Sequence, residues 1–184
     1  MYKWELFPNL RNKWLNFSKY ILMRIDRYLA IELDKPSYCK ESLEDIEERF
    51  NKNNLKRYGR HLEHIYAYNN KNKILFTNEL NIFDEALFNS VRNKLGMLLL
   101  LKDKQNISSN NDYYNLKMAD YATSNLIWNE LLVGHIDSID RRNLPPHITF
   151  TKVEPNEDGV FPLDKVELRQ KEMFEMIKQI WAFN

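Results

Sequence analysis

Glu63 and His64 stand side by side near the end of a short apolar run, His61-Leu62-Glu63-His64-Ile65. A second apolar run spans Leu95 to Leu101, and Asn106 lies just beyond it. These residue types suit the hydrolysis of a phosphodiester. An attacking water must lose a proton, and histidine, which titrates near neutrality, is the natural base. The scissile phosphate and the leaving oxygen need positive charge, which a divalent cation supplies. Hard cations take oxygen ligands from carboxylates and side-chain amides. His64 is therefore the candidate base, and Glu63 and Asn106 are the candidate metal ligands. Lys117 is a candidate phosphate contact. Seven Lys or Arg but only one acid, Glu63, fall between Arg49 and Lys73. Arg57 and Arg60 in that run are candidate contacts to nucleic acid, against the competing reading of a solvated face.

Taken one at a time these signals are weak. His64 alone reads as a partly buried structural histidine, and Asn106 alone as a helix cap. Their order along the chain, and the elements that hold them, carry more. The spacing of Trp14, Phe17, Ile21, Leu22, Ile25, Tyr28 and Leu29 predicts an amphipathic helix over 14–33, closed by Pro36. Ser42 caps a second, highly charged helix reaching about Asn53. Residues 60–67 read as a strand and Asn69–Asn72 as a polar turn. Leu80–Lys94 reads as a helix broken at Gly96, and Met97–Leu101 as a buried strand. Neighbouring strand residues face opposite sides, so Glu63 and His64 share one site only where the strand ends or twists. The polar stretch after Tyr66 permits that. Ser108-Ser-Asn-Asn-Asp opens a helix to about Val133. Residues 134–162 hold four of the six prolines and read as an irregular excursion, followed by a last amphipathic helix over Leu163–Trp181.

The 184 residues suffice for one sizeable core. A net charge of +1 leaves no global basic signature. The single cysteine, Cys39, excludes an internal disulfide and a cysteine-built zinc site. No apolar run reaches the roughly 18 residues of a membrane span. The N-terminus has an early acid and no apolar signal core, so a cytoplasmic protein is expected. Four glycines favour helix and leave no glycine-rich phosphate loop.

The order of these motifs resembles the HNH, or His-Me finger (ββα-metal), nuclease superfamily. Within it, the chain is most similar to the C-terminal nuclease domain of GmrSD-type modification-dependent restriction endonucleases. That domain typically shows Glu-His-Ile, then Arg-x-x-Leu-Gly-Asn-Leu-x-Leu-Leu, then Asn with a following Ser-Asn, an aromatic residue and Lys. Here these stand as Glu63-His64-Ile65, the stretch Asn93 to Leu100, Asn106, Ser109-Asn110, Tyr113 or Tyr114, and Lys117. Tyr20-Ile-Leu-Met-Arg-Ile-Asp looks like that domain's lead-in helix, so the resemblance covers roughly residues 14–133. It implies His64 as general base and Glu63 and Asn106 as ligands of one divalent cation, Mg2+ or Mn2+. Lys117 would hold the helix or a phosphate. Two positions depart. Met97 stands where the family has an Asn that orients the histidine or orders the loop, and methionine cannot donate or accept comparably. Asn93 and Asn110 are neighbours able to compensate. Ala67 stands where Pro is common.

The expectation is an α+β fold: a ββα-metal finger, a two-stranded hairpin plus helix, embedded in a mostly helical single domain. Lead-in helices would occupy 1–58, the ββα core about 60–133, and an extension 134–184. The resemblance implies a metal-dependent DNA endonuclease in bacterial restriction or anti-phage defence. Its implied partners are DNA and an NTP-hydrolysing regulatory domain or subunit outside this sequence. The rival is the same fold with a decayed site, a binding or interaction subunit, which Met97 favours. An unrelated helical adaptor requires the whole motif order to be chance.

Overall fold

A computed structural model describes residues 8–35, 60–102, 111–135 and 150–181. Among these the fold is α+β. Its elements are α1 (Pro8–Glu32), β1 (Arg60–His64), α2 (Asn70–Ile74), α3 (Glu85–Arg92), a 3-10 turn (Leu95–Met97), β2 (Leu98–Lys102), α4 (Tyr114–Ala122), α5 (Ile127–Val133) and α6 (Lys165–Trp181). The two strands pair antiparallel, with Arg60 opposite Lys102, Glu63 opposite Leu99 and His64 opposite Leu98. One further ladder bond, from the Ile65 N–H to the Met97 carbonyl, continues the pairing past His64. β1, β2 and α4 form the expected ββα unit, surrounded by helices.

α1 follows its apolar spacing: Ile21, Leu22, Ile25 and Leu29 are buried on one face. The β2 run Leu98–Leu101 is buried throughout, as a continuous apolar run should be. α1 and α5 pack on it, and α6 packs on α1 and on the 3-10 turn just before it. Trp181 lies beside Tyr20, and the Arg24 guanidinium sits over the Trp181 ring, pinning the end of α6 to α1.

Several elements differ from the sequence reading. The turn expected at Asn69–Asn72 is the short helix α2, because the Asn69 carboxamide accepts the Asn72 N–H at 2.9 Å and starts it. α3 starts at Glu85 rather than Leu80, since Asp84 accepts the Leu87 N–H at 2.8 Å and is the true cap. Within α3, Phe88 is buried while Leu87 is 49% exposed. The single helix expected up to Val133 is two. Ser124 bonds back to the Tyr121 carbonyl and Asn125 adopts a left-handed φ of 53°, so α4 stops and α5 starts again. The cap of α4 is Tyr113, which makes no side-chain cap bond, and not the Ser-Asn run. α5 is capped from far away: Asp26, buried in α1, accepts the Trp128 N–H at 3.2 Å. The charged helix expected from Ser42 lies outside the described residues.

The segment expected as a C-terminal extension is integral to the core. Gly96 sits where α6 crosses the 3-10 turn. A Cβ there would lie 2.9 Å from the Gln170 backbone, so only glycine fits. The Gln170 side chain accepts the Gly96 N–H at 2.7 Å, and the buried Arg169 donates to the Gly96 carbonyl. Gly96 therefore does more than end a helix.

Three tyrosines bury their rings and donate from their hydroxyls: Tyr66 to the Phe161 carbonyl at 2.8 Å, Tyr114 to the Val153 carbonyl at 2.7 Å and Tyr121 to Glu63 at 3.4 Å. Burial pushes all three phenols well above their ordinary value of 10.0. The unfolded chain ionises these phenols near pH 10 while the folded chain keeps them protonated, so it binds fewer protons than the fold there. Their contribution to stability is whole below about pH 10 and is lost as pH climbs from there toward the folded values. Tyrosinate absorbance during alkaline titration should rise in two stages. The later stage should coincide with loss of helical circular dichroism; a single stage before unfolding would contradict the burial.

Candidate active site

His64 is the last residue of β1 and is half-buried. Its Nε2 lies 2.9 Å from the Asn93 Oδ1 on the solvent side of the fold. Asn93 is the C-cap of α3, and its Nδ2 donates to the Asn89 carbonyl at 2.8 Å. Aromatic packing delivers α3 to that place. Phe88 meets Phe76 edge-on at 5.2 Å and Tyr68 at 5.5 Å, and Phe76 meets Tyr66 at 5.5 Å. The chain leaving β1 is thereby clamped to α3, and the end of α3 faces the end of β1. Arg92, one residue before Asn93, donates from Nε to the Tyr66 carbonyl at 3.2 Å.

Glu63 takes the other side of the strand. It is 5% exposed and ion-paired with Lys117 of α4, which is fully buried. The Lys117 ammonium also donates to the His64 carbonyl at 3.0 Å. Burial raises the Glu63 carboxyl above its usual range, and Lys117, Tyr121 and Arg92 pull it back. Burial lowers the Lys117 ammonium, with Glu63 opposing. Desolvation thus presses on both charges, and the hydrogen bonds hold the pair together.

His64 lies at a strand end on the solvent side, where a base can meet water. Of the two roles expected for Lys117, the structure supports holding the helix: its ammonium, with no exposed surface, is bonded to Glu63 and to the His64 carbonyl and ties the finger helix to the strand, and its burial speaks against the phosphate contact. Glu63 fits a cation only if Lys117 lets it go, because the carboxylate is already neutralised inside the fold. Among the described residues no group of three or more His, Cys, Asp or Glu is placed to hold a metal. Asn106, Asn110 and Arg57 lie outside the described residues. Arg60 opens β1 opposite Lys102. Met97 turns its side chain into the core, fully buried, and Asn93 meets His64 instead.

Asn93 was visible in sequence only as a neighbour able to compensate; the contact itself is made by α3. Arg92 was legible too: three residues before Leu95-Gly96, it occupies the arginine of the Arg-x-x-Leu-Gly pattern. Tyr121 lies one helical turn from Lys117, on the same face of α4, a spacing that could have marked it. Of the expected basic run, Lys71 lies 3.9 Å from the Tyr113 ring centroid and Lys73 lies 3.8 Å from that of Tyr68.

The sequence matches the family described as GmrSD restriction endonucleases, C-terminal domain, over residues 6–176. The chain belongs to this family. No curated protein and no solved structure matches it. The match runs on into α6 as far as Met176, and so includes the Gln170 that meets Gly96, beyond the stretch that the motifs alone mark out. Among the described residues no helix is long and apolar enough to cross a membrane.

Proposed function

We propose that this GmrSD C-terminal domain hydrolyses DNA phosphodiester bonds with His64 as general base, in bacterial restriction or anti-phage defence. The observation that carries the proposal is the His64 ring, half-buried on the solvent side at the end of β1 and held by Asn93, in a chain of a restriction-endonuclease family. His64 would take the proton of the attacking water. Arg92 replaces Lys117 as the cation expected at the phosphate, being next to Asn93 and anchored on the turn that follows β1. A divalent cation, Mg2+ or Mn2+, would supply positive charge at the scissile group when bound. Asn106 would hold it, with Glu63 after release from Lys117. We place the protein in the cytoplasm, with an NTP-hydrolysing domain or subunit as its regulatory partner.

The test is plasmid cleavage by the chain with Mg2+ or Mn2+, beside parallel reactions with EDTA and with the His64→Ala variant. Cleavage lost in both controls supports the proposal. Equal cleavage by parent and variant marks a contaminant and removes it. The Glu63–Lys117 pair favours a second reading, a decayed module that binds DNA or a partner without cutting. That reading holds if neither protein cleaves even modified DNA in the presence of an NTP-hydrolysing partner.

A further inference from the structure

We infer that Asn93 is a positioning residue that fixes the tautomer of His64, doing from the end of α3 what the family's asparagine, here Met97, cannot. A carboxamide beside an imidazole can present either its oxygen or its nitrogen. Here the choice is forced. The Asn93 Nδ2 is 2.8 Å from the Asn89 carbonyl, which only accepts, so the nitrogen end must point there. Oδ1 then faces the His64 ring at 2.9 Å and can only accept. The ring must carry its hydrogen on Nε2. In the neutral imidazole the lone pair then lies on Nδ1.

The position of Asn93 is itself determined. Its N–H returns to Asn89 as the C-cap of α3. Phe88 packs α3 against Phe76, which packs on Tyr66 just past His64. The Arg92–Tyr66 bond closes the same loop from the next residue. The amide therefore meets the ring through a chain of packed groups.

This inference rests on the reading of His64 as base, but its primary test does not. The full chain is labelled with 15N-histidine, and the ring nitrogens are observed by NMR at a pH where the imidazole is neutral. The His64 resonances are assigned by their absence in His64→Gln. The wild-type ring should be in the Nε2–H form. Asn93→Asp, which keeps an acceptor oxygen, should retain that form, and Asn93→Leu should mix it with Nδ1–H. A wild-type ring in the Nδ1–H form, or a tautomer indifferent to Asn93→Leu, overturns the inference. Cleavage gives a second readout: positioned proton transfer contributes about 100-fold or more, so Asn93→Leu should cost roughly tenfold or more in kcat with KM unchanged. A tautomer that responds to Asn93 while His64→Ala still cleaves would keep the positioning role and refute the base.

Discussion

Replacing Lys117 with methionine should lower the unfolding free energy of this domain by about 3–5 kcal/mol, the cost of leaving a buried charge without its partner. Glu63, 5% exposed, would keep its place under α4 and lose the Lys117 ion pair in the interior. The loss should depend on pH with a definite sign. Burial already raises the Glu63 carboxyl and Lys117 is among the groups holding it down, so the variant's carboxyl should rise further. A carboxyl whose folded pKa exceeds its unfolded value binds its proton more tightly in the fold. The stability this confers is present below the unfolded value near 4.5 and fades as pH rises through the folded one. The variant should therefore be closest to wild type in mild acid and furthest from it in weak alkali. Urea denaturation at both conditions measures this. Adding Glu63→Gln should restore most of the stability, because a neutral amide no longer needs the ammonium. A Lys117→Met protein as stable as wild type would show that the ion pair is not part of the folded core. Mn2+ distinguishes the roles of Glu63. If the vacated carboxylate binds the cation, Mn2+ should raise the stability of Lys117→Met and not that of the double variant, by preferential binding to the folded state.

The second large effect is on catalysis. His64→Ala should reduce cleavage by about 100- to 10,000-fold, the usual worth of a positioned general base, while the melting temperature stays near that of wild type. The two readouts separate because His64 is half-buried and its Asn93 bond lies on the solvent side, whereas the residues around it that carry the core, Leu98 and Ile65, are buried. A variant that lost activity together with its fold would place His64 among structural residues.

The sequence was most legible where one periodicity had one physical meaning. α1 and the buried β2 run followed directly from apolar spacing, and the order Glu-His-Ile, Leu-Gly, Asn, Lys pointed to the family. His64 could be singled out because its chemistry is rare among side chains. What could not be read was direction across space. Lys117, in a helix after a Ser-Asn run, suits a phosphate or a helix tie equally by its type and position, and only the packing of α4 over β1 turns it inward. Asp26 capping α5 and Asn93 meeting His64 join distant segments, and local spacing holds no trace of such contacts. The break between α4 and α5 was legible in principle at Ser124-Asn125, where side chains compete with the helix for backbone bonds.

Asp26 also bears on how fast this domain assembles. Its bond to Trp128 spans 102 positions, that of Tyr66 to Phe161 spans 95, and that of Gly96 to Gln170 spans 74. Helical proteins fold fast because their contacts are local, and chains whose contacts are remote pay loop-closure entropy before any reward. Here the helices supply the shape while long-range bonds supply the closure. A chain this rich in helix should then refold on the slower scale of sheet proteins, roughly milliseconds to seconds.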